Sequence, residues 1–220
     1  MLGSLGFRPW EKNPTLCRRC FQGLNRLPPG GAEVPATLLF ADVRGSTGLA
    51  ERTDAAGFAA RLRQFYATSS QAIIDEQGLV DKFVGDEIVA IFIPAFNGPH
   101  HAVAAIRAAV NMLRATGYGT AEGAPLMIGI GINTGPAFIG TVAVGSEVTD
   151  FTALGDTVNV AARLAAEAAG GEVLISDATA EASGLGLDGI PHRQIPLRGH
   201  AAPVALRVAG YEALAALSPA

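Results

Sequence analysis

The chain is poor in the features that staple a fold covalently. Its 220 residues include two cysteines, both in the short run Cys17-Arg18-Arg19-Cys20. That excludes a disulfide-dense scaffold and supplies half of a four-ligand zinc site. Three readings of Cys17 and Cys20 stay open: plain reduced thiols, a redox pair, or half of a zinc site completed by a second chain. Plain thiols lead, followed by the zinc half-site and then the redox pair. His100 and His101 could add ligands, but "NGPHH" reads as a polar loop entering a helix. Positive charge is not in excess, because the net charge is −4, so no nucleic-acid partner is expected. No run reaches the roughly 18 uninterrupted apolar residues of a membrane span, so no membrane partner is expected. The opening "MLGSLGFRPW" has neither a basic start nor a long apolar stretch, which argues against a signal peptide and for a cytoplasmic location.

What the chain does have is apolar mass. Hydrophobic residues make up 49% of it, enough for one sizeable core. Residues 1–34 differ from the rest: they hold Trp10, the CxxC and the linker "LPPGGAEVP". They read as an N-terminal arm, followed by one domain over 35–212 and a tail over 213–220.

Within the domain, apolar runs alternate with helical periodicity. "ATLLFADV" is a continuous run suited to a central strand. Residues 53–78 read as a helix, capped by Thr53 or Asp54 and stopped by Gly78. "LVDKFVGDEIVAIFI" reads as two strands around a Gly85–Asp86 turn. "GPHHAVAAIRAAVNMLRAT" is a second amphipathic helix. "LMIGIGINTGPAFIGTVAV" reads as strand, turn, strand, its glycines marking close backbone approach or bulges. "GDTVNVAARLAAEAAGG" is a helix with Asp156 at its cap, and further strands follow. The order β-α-β-β-α-β-β-α-β-α-β-β is an α+β pattern, a mostly antiparallel sheet covered by helices. Embedded in it is the βαββαβ order of a ferredoxin-like sheet.

Several polar residues sit badly with a purely structural role. Asp42 ends an apolar strand, where an acid is costly unless paired or bound to metal. Asp86 lies in the next hairpin turn, where aspartate also has an ordinary structural use. If the two strands are neighbours, both carboxylates reach one point, an arrangement suited to Mg²⁺ or Mn²⁺ and to phosphoryl chemistry. Asn159 and Arg163 are four apart, hence on one helical face. Arg163 could be a solvated salt-bridge partner or a clamp on developing phosphate charge. Asp150 and Thr152 share a strand face and could hydrogen-bond a ligand or form a solvated edge.

Taken together, "LLFADVRGST", "DKFVGDE", "IGIGINTGP", "GDTVNVAARL" and "PLRGHAAPVALRV" resemble the class III nucleotidyl cyclases over about residues 35–212. The resemblance implies the ferredoxin-like core of that family's catalytic domain and a role for each matching position. Asp42 and Asp86 would bind two divalent cations, Mg²⁺ or Mn²⁺. Lys82 and Thr152 would contact the base, Asn159 would orient the ribose, and Arg163 would stabilise the transition-state phosphate. Arg198 is assigned to the terminal phosphates. The lysine–threonine pairing resembles the class IIIb branch, which includes bicarbonate-responsive adenylyl cyclases. A lysine can donate to an adenine ring nitrogen, and a threonine hydroxyl can accept from the exocyclic amine. The implied activity is conversion of ATP to 3′,5′-cyclic AMP and pyrophosphate. The implied assembly is a homodimer whose sites are shared between chains. A guanine- or pyrimidine-preferring cyclase and a catalytically dead binding or dimerisation module are the alternatives. One departure is visible: many relatives have Phe-Thr after "FADVRG", and this chain has Ser46–Thr47, which removes an aromatic from the nucleotide wall.

Overall fold

The computed structural model describes residues 9–10, 13–17, 30–121, 123–144, 148–196 and 202–217. The strands are β1 (Pro9–Trp10), β2 (Asn13–Cys17), β3 (Gly31–Val43), β4 (Leu79–Val84), β5 (Glu87–Phe92), β6 (Ile128–Val144), β7 (Val148–Leu154), β8 (Glu172–Ser176), β9 (His192–Ile195) and β10 (Val204–Gly210). The helices are α1 (Ser46–Arg52), α2 (Ala55–Asp75), α3 (Pro94–Asn97), α4 (His101–Ala115), α5 (Asp156–Glu167), α6 (Asp177–Ser183) and α7 (Tyr211–Leu217). The main sheet runs β4-β5-β3-β6-β8-β10-β9, with β7 paired to β6. Its neighbours are antiparallel except β6 and β8. The segment β3-α2-β4-β5-α4-β6, with sheet order β4-β5-β3-β6, is the expected ferredoxin-like unit.

The run "ATLLFADV" is apolar apart from Thr37 and Asp42 because both faces of β3 are covered. Leu39, Ala41 and Val43 enter one core with Phe65 and Ile73 of α2 and Ile106 and Leu113 of α4. Ala36, Leu38 and Phe40 enter a second with Ala161 and Ala165 of α5, and Trp10 packs there too. Helix α5 buries Thr157, Val160, Ala161, Leu164 and Ala165. That is the i, i+3, i+4, i+7, i+8 stripe of an amphipathic helix, and it leaves Asn159 and Arg163 exposed.

Four local expectations are corrected. Residues 128–144 form one unbroken strand rather than strand, turn, strand. All of β3 pairs with it, and none of Gly129, Gly131, Gly135 and Gly140 has the positive φ of a tight turn. Close approach is what these glycines provide. A Cβ on Gly131 would lie 2.1 Å from Ala165 N and 2.5 Å from Ala161 O, so α5 rests directly on the strand. Strand β3 begins at Gly31, inside the expected linker, because residues 31–34 pair with 137–140. Helix α2 starts at Asp54, which accepts from Gly57 N at 2.9 Å, and the left-handed residue at its end is Gln77 (φ 59) rather than Gly78. Gly78 is required by packing, since a Cβ would lie 2.5 Å from Phe92 Cε1. Asp156 occupies the first turn of α5, and Gly155 (φ 129) takes the cap position.

His101 is also not in a polar loop. It opens α4, is buried, and its Nδ1 lies 2.8 Å from Thr37 Oγ1. Burial lowers its pKa. Thr37 continues to Thr134 at 2.8 Å, Thr134 to Thr179 at 3.0 Å, and Thr179 to Ser176 at 3.0 Å. This chain of hydroxyls satisfies polar groups that would otherwise be orphaned in the core.

Gly131→Ala is expected to lower stability by roughly 1–3 kcal/mol, read as a lower urea midpoint at unchanged m-value. An unchanged midpoint would mean that α5 can move off β6 without cost.

Candidate active site

Two polar clusters lie on the β4–β5 hairpin. The first gathers at the ends of β3 and β5. Asp42 faces Glu87 across the β3–β5 ladder and Gly129 across the β3–β6 ladder. Val43 N donates to Asp86 O at 3.3 Å, which ties the turn to the end of β3. Gly85 supplies the turn's positive φ (63), and the Tyr66 hydroxyl donates to its carbonyl. Burial raises the Asp42 pKa, and the nearby Asp86 carboxylate adds to the rise, while Arg44 and the Val43 amide oppose it. Arg44 Nη1 lies 3.2 Å from Asp42 Oδ2. The same guanidinium donates to the carbonyls of Ala165 and Ala166 at the end of α5. Glu87 is pushed up to about 7, first by burial, then by Asp42 and Asp86, with Arg44 opposing.

The Asp86 carboxylate is thus near enough to Asp42 to raise its pKa. Among the described residues no group of three or more His, Cys, Asp or Glu could enclose a metal ion. A pair of partly exposed carboxylates fits a hard cation that completes its shell with water and phosphate oxygens. The raised pKa of Asp42, due first to burial and then to Asp86, marks an acid that lacks enough positive charge nearby.

The second cluster joins β4 to β7. Lys82 Nζ lies 3.2 Å from Asp150 Oδ2 and 3.7 Å from Asp81 Oδ2. The Thr152 hydroxyl donates to Asp81 Oδ2 at 2.8 Å. Lys82 and Thr152, distant in sequence, therefore meet at one point, and Asp150 joins them from the same face of β7. Asn159 and Arg163 lie exposed on the outer face of α5, and Arg163 forms no ion pair among the described residues. The salt-bridge reading of Arg163 thus finds no described partner. Ser46 opens α1. Arg198 and Cys20 lie outside the described residues, while Cys17 ends β2 and is partly buried.

Sequence reasoning passed over Asp81, Arg44 and the environment of Glu87. Asp81 carried a usable signal, an acid inside the apolar run "LVDKFV". Arg44 and Glu87 carried none, since their importance comes from cross-strand neighbours.

A carboxyl pKa raised by folding means that the folded chain holds the proton more tightly than the unfolded chain. Glu87 therefore costs nothing at low pH, and stability falls as pH rises from its ordinary 4.5 through about 7. Glu87→Gln is expected to raise the thermal midpoint of metal-free protein more at about pH 8 than at about pH 4.5. Equal shifts at the two pH values would show that Glu87 ionises freely.

Comparison with known proteins bears on the whole arrangement. The model of the adenylate and guanylate cyclase catalytic domain matches residues 32–203. A terminal-differentiation-specific adenylate cyclase of Dictyostelium discoideum is 34% identical over 157 residues, covering 69% of this chain and 7% of that protein. An adenylate cyclase of Anabaena cylindrica is 33% identical over 153 residues, covering 65% of this chain and 29% of that protein. The chain thus spans less than a third of either curated relative. The solved guanylyl cyclase Cya2 superposes with a TM-score of 0.71 at 30% identity, covering 82% of this chain and 94% of that one. The adenylyl cyclase CyaB from P. aeruginosa superposes with a TM-score of 0.69 at 31% identity, covering 81% and 95%. Fold order, sheet topology and family match agree: the chain belongs to the class III nucleotidyl cyclases, the family of adenylate and guanylate cyclase catalytic domains.

Proposed function

We propose that this chain is an adenylyl cyclase that converts ATP to 3′,5′-cyclic AMP and pyrophosphate. The observation that carries the reading is the meeting of Lys82 and Thr152 at one point, where a donor and a hydroxyl can face the edge of one base. The curated relatives named adenylate cyclase support the same substrate. The likeness to the guanylyl cyclase Cya2 keeps a guanine-specific cyclase as the second reading.

The reaction is intramolecular. The ribose 3′-hydroxyl gives its proton to water, its oxygen bonds to the α-phosphorus, and the bond from that phosphorus to the bridging oxygen of pyrophosphate breaks. Divalent cations, Mg²⁺ or Mn²⁺, held by Asp42 and Asp86 would supply acidification of the 3′-hydroxyl and neutralisation of phosphate charge. The chain's own residues supply position and field. Lys82 and Thr152 hold the base, and Asn159 orients the ribose. Arg163, exposed and free of any described acid, turns its guanidinium to the phosphate charge that grows in the transition state. Arg198 receives the terminal phosphates. No side-chain nucleophile is needed, so catalysis is mainly positioning and electrostatics.

The site is completed by a second copy of the chain. Asp42 and Asp86 serve one nucleotide, while Lys82, Thr152, Asn159 and Arg163 serve the other, in a twofold homodimer. Large apolar side chains stand exposed between and beside these groups: Phe83 (48%), Val84 (53%) and Leu154 (48%). Such a rim is suited to burial against a partner.

Incubation with ATP, GTP, CTP or UTP and Mn²⁺ or Mg²⁺ tests the substrate. Cyclic AMP is the expected main product, and no cyclic product under any condition would refute the reading. Asp42→Ala and Arg163→Ala chains are each expected to be inactive. Mixed, they should regain about a quarter of wild-type activity, because half of statistically formed dimers hold one intact site of two. Heterodimers that form without recovering activity would exclude shared sites.

A further inference from the structure

Asp81 is an acid in the middle of an apolar strand, and its side chain is 3% exposed. An acid so placed is costly unless it is paired and hydrogen-bonded. Its backbone setting is equally unusual. Val80 pairs with Ala90 and Lys82 with Val89, so Asp81 is the extra residue of a β-bulge in β4. On a regular strand, consecutive side chains point to opposite faces. Here Asp81 and Lys82, though consecutive, both reach β7, one contacting Thr152 and the other Asp150. A bulge re-aims a side chain, and this one turns a carboxylate onto the Thr152 hydroxyl.

The consequence follows from counting protons. A hydroxyl has one proton and two lone pairs, a carboxylate only accepts, and an ammonium only donates. Thr152 gives its proton to Asp81 at 2.8 Å, and the other acceptor near it, Ala153 O, is distant at 3.5 Å. What Thr152 has left for a ligand is lone pairs. Lys82 beside it offers protons only. The pair therefore presents one acceptor and one donor in fixed order.

We propose that Asp81 is a positioning residue that sets the polarity of Thr152 and so commits the site to bases carrying an exocyclic amine beside an unprotonated ring nitrogen. This rests on the reading of Lys82 and Thr152 as the base contacts, Thr152 at the exocyclic group and Lys82 at the ring nitrogen. Adenine offers an amine to the acceptor and a bare nitrogen to the donor. A 6-oxo purine offers the reverse at both points, setting oxygen against lone pair and N–H against ammonium. The amide of Asn at position 81 can donate to the Thr152 oxygen, which releases the hydroxyl proton and lets Thr152 donate as well as accept.

The test compares ATP with ITP, which differ only at position 6 and the adjoining ring nitrogen, using the full chain with Mn²⁺. Wild type is expected to favour ATP in kcat/KM, and Asp81→Asn to lower the ATP:ITP ratio about 10-fold or more. Both substrates are measured on one preparation, so a loss of folded protein cancels from the ratio. In a Thr152→Val background, Asp81→Asn should leave the ratio unchanged, because Asp81 then has no hydroxyl to orient. If Asp81→Asn does not fold, Asp81→Ser, which can also donate, makes the same comparison. A wild-type chain that does not discriminate between the two overturns the proposal. So does an unchanged ratio in the variant, or an equal change in the Thr152→Val background. If wild type forms no cyclic product from any nucleotide, the cyclase reading fails by itself. The ratio of ATP and ITP dissociation constants, in wild type and variant, then decides the role of Asp81.

Discussion

The pairing of β3 with β6 is the constraint on which the other parts depend. Every residue of Gly31–Val43 has a partner on β6, and β3 is buried against helices on one face and α5 with Trp10 on the other. A strand enclosed this way can carry a hydrogen-bonded hydroxyl such as Thr37 but has no face for a charge, so Asp42 stands at its end. The same ladder fixes what lies behind it. Because α5 must cover β6 closely, the strand carries glycine where the helix backbone touches it, and that contact sets which side of α5 faces outward. The exposure of Asn159 and Arg163 is thus a by-product of packing around Gly131.

The acids of the two clusters are held in different ways. Asp42, Asp86 and Glu87 crowd one another, with Arg44 as the counter-charge in contact with Asp42, and burial beside other acids makes the protons of Asp42 and Glu87 hard to remove. Asp81 and Asp150 instead share Lys82. The first cluster is short of positive charge and suited to attract it. The second is arranged around a cation of its own and is suited to directional hydrogen bonding.

Much of this was legible in the sequence wherever one physical cause dominated. The run "ATLLFADV" announced a strand covered on both sides, and Gly85–Asp86 announced a hairpin. Asp42, Asp86, Lys82 and Thr152 stood out because their types and order match a known chemistry. The misreadings have a common origin in residues with two uses. Glycines in "GIGINTGP" mark turns in one context and helix contact in another, and only the length of the partner strand decides. Gly78 looked like a helix stop but makes room for Phe92, leaving Gln77 to adopt the left-handed conformation. The bulge at Asp81 is a statement about register between two strands, and a single strand's sequence does not contain it.

Strand β7 pairs with β6 along one edge, so its ladder holds it from one side only. What steadies it otherwise comes from far along the chain. The Trp10 ring meets Phe151 edge-on, with centroids 5.4 Å apart, and Asp81 holds Thr152 across a separation of 71 residues. Closing such long loops costs chain entropy that these contacts must offset. The position that would face the base is therefore defined only when segments far apart in the chain have come together. Its hydrogen-bonding sense is a property of the closed tertiary structure, one that no isolated fragment of the chain would possess.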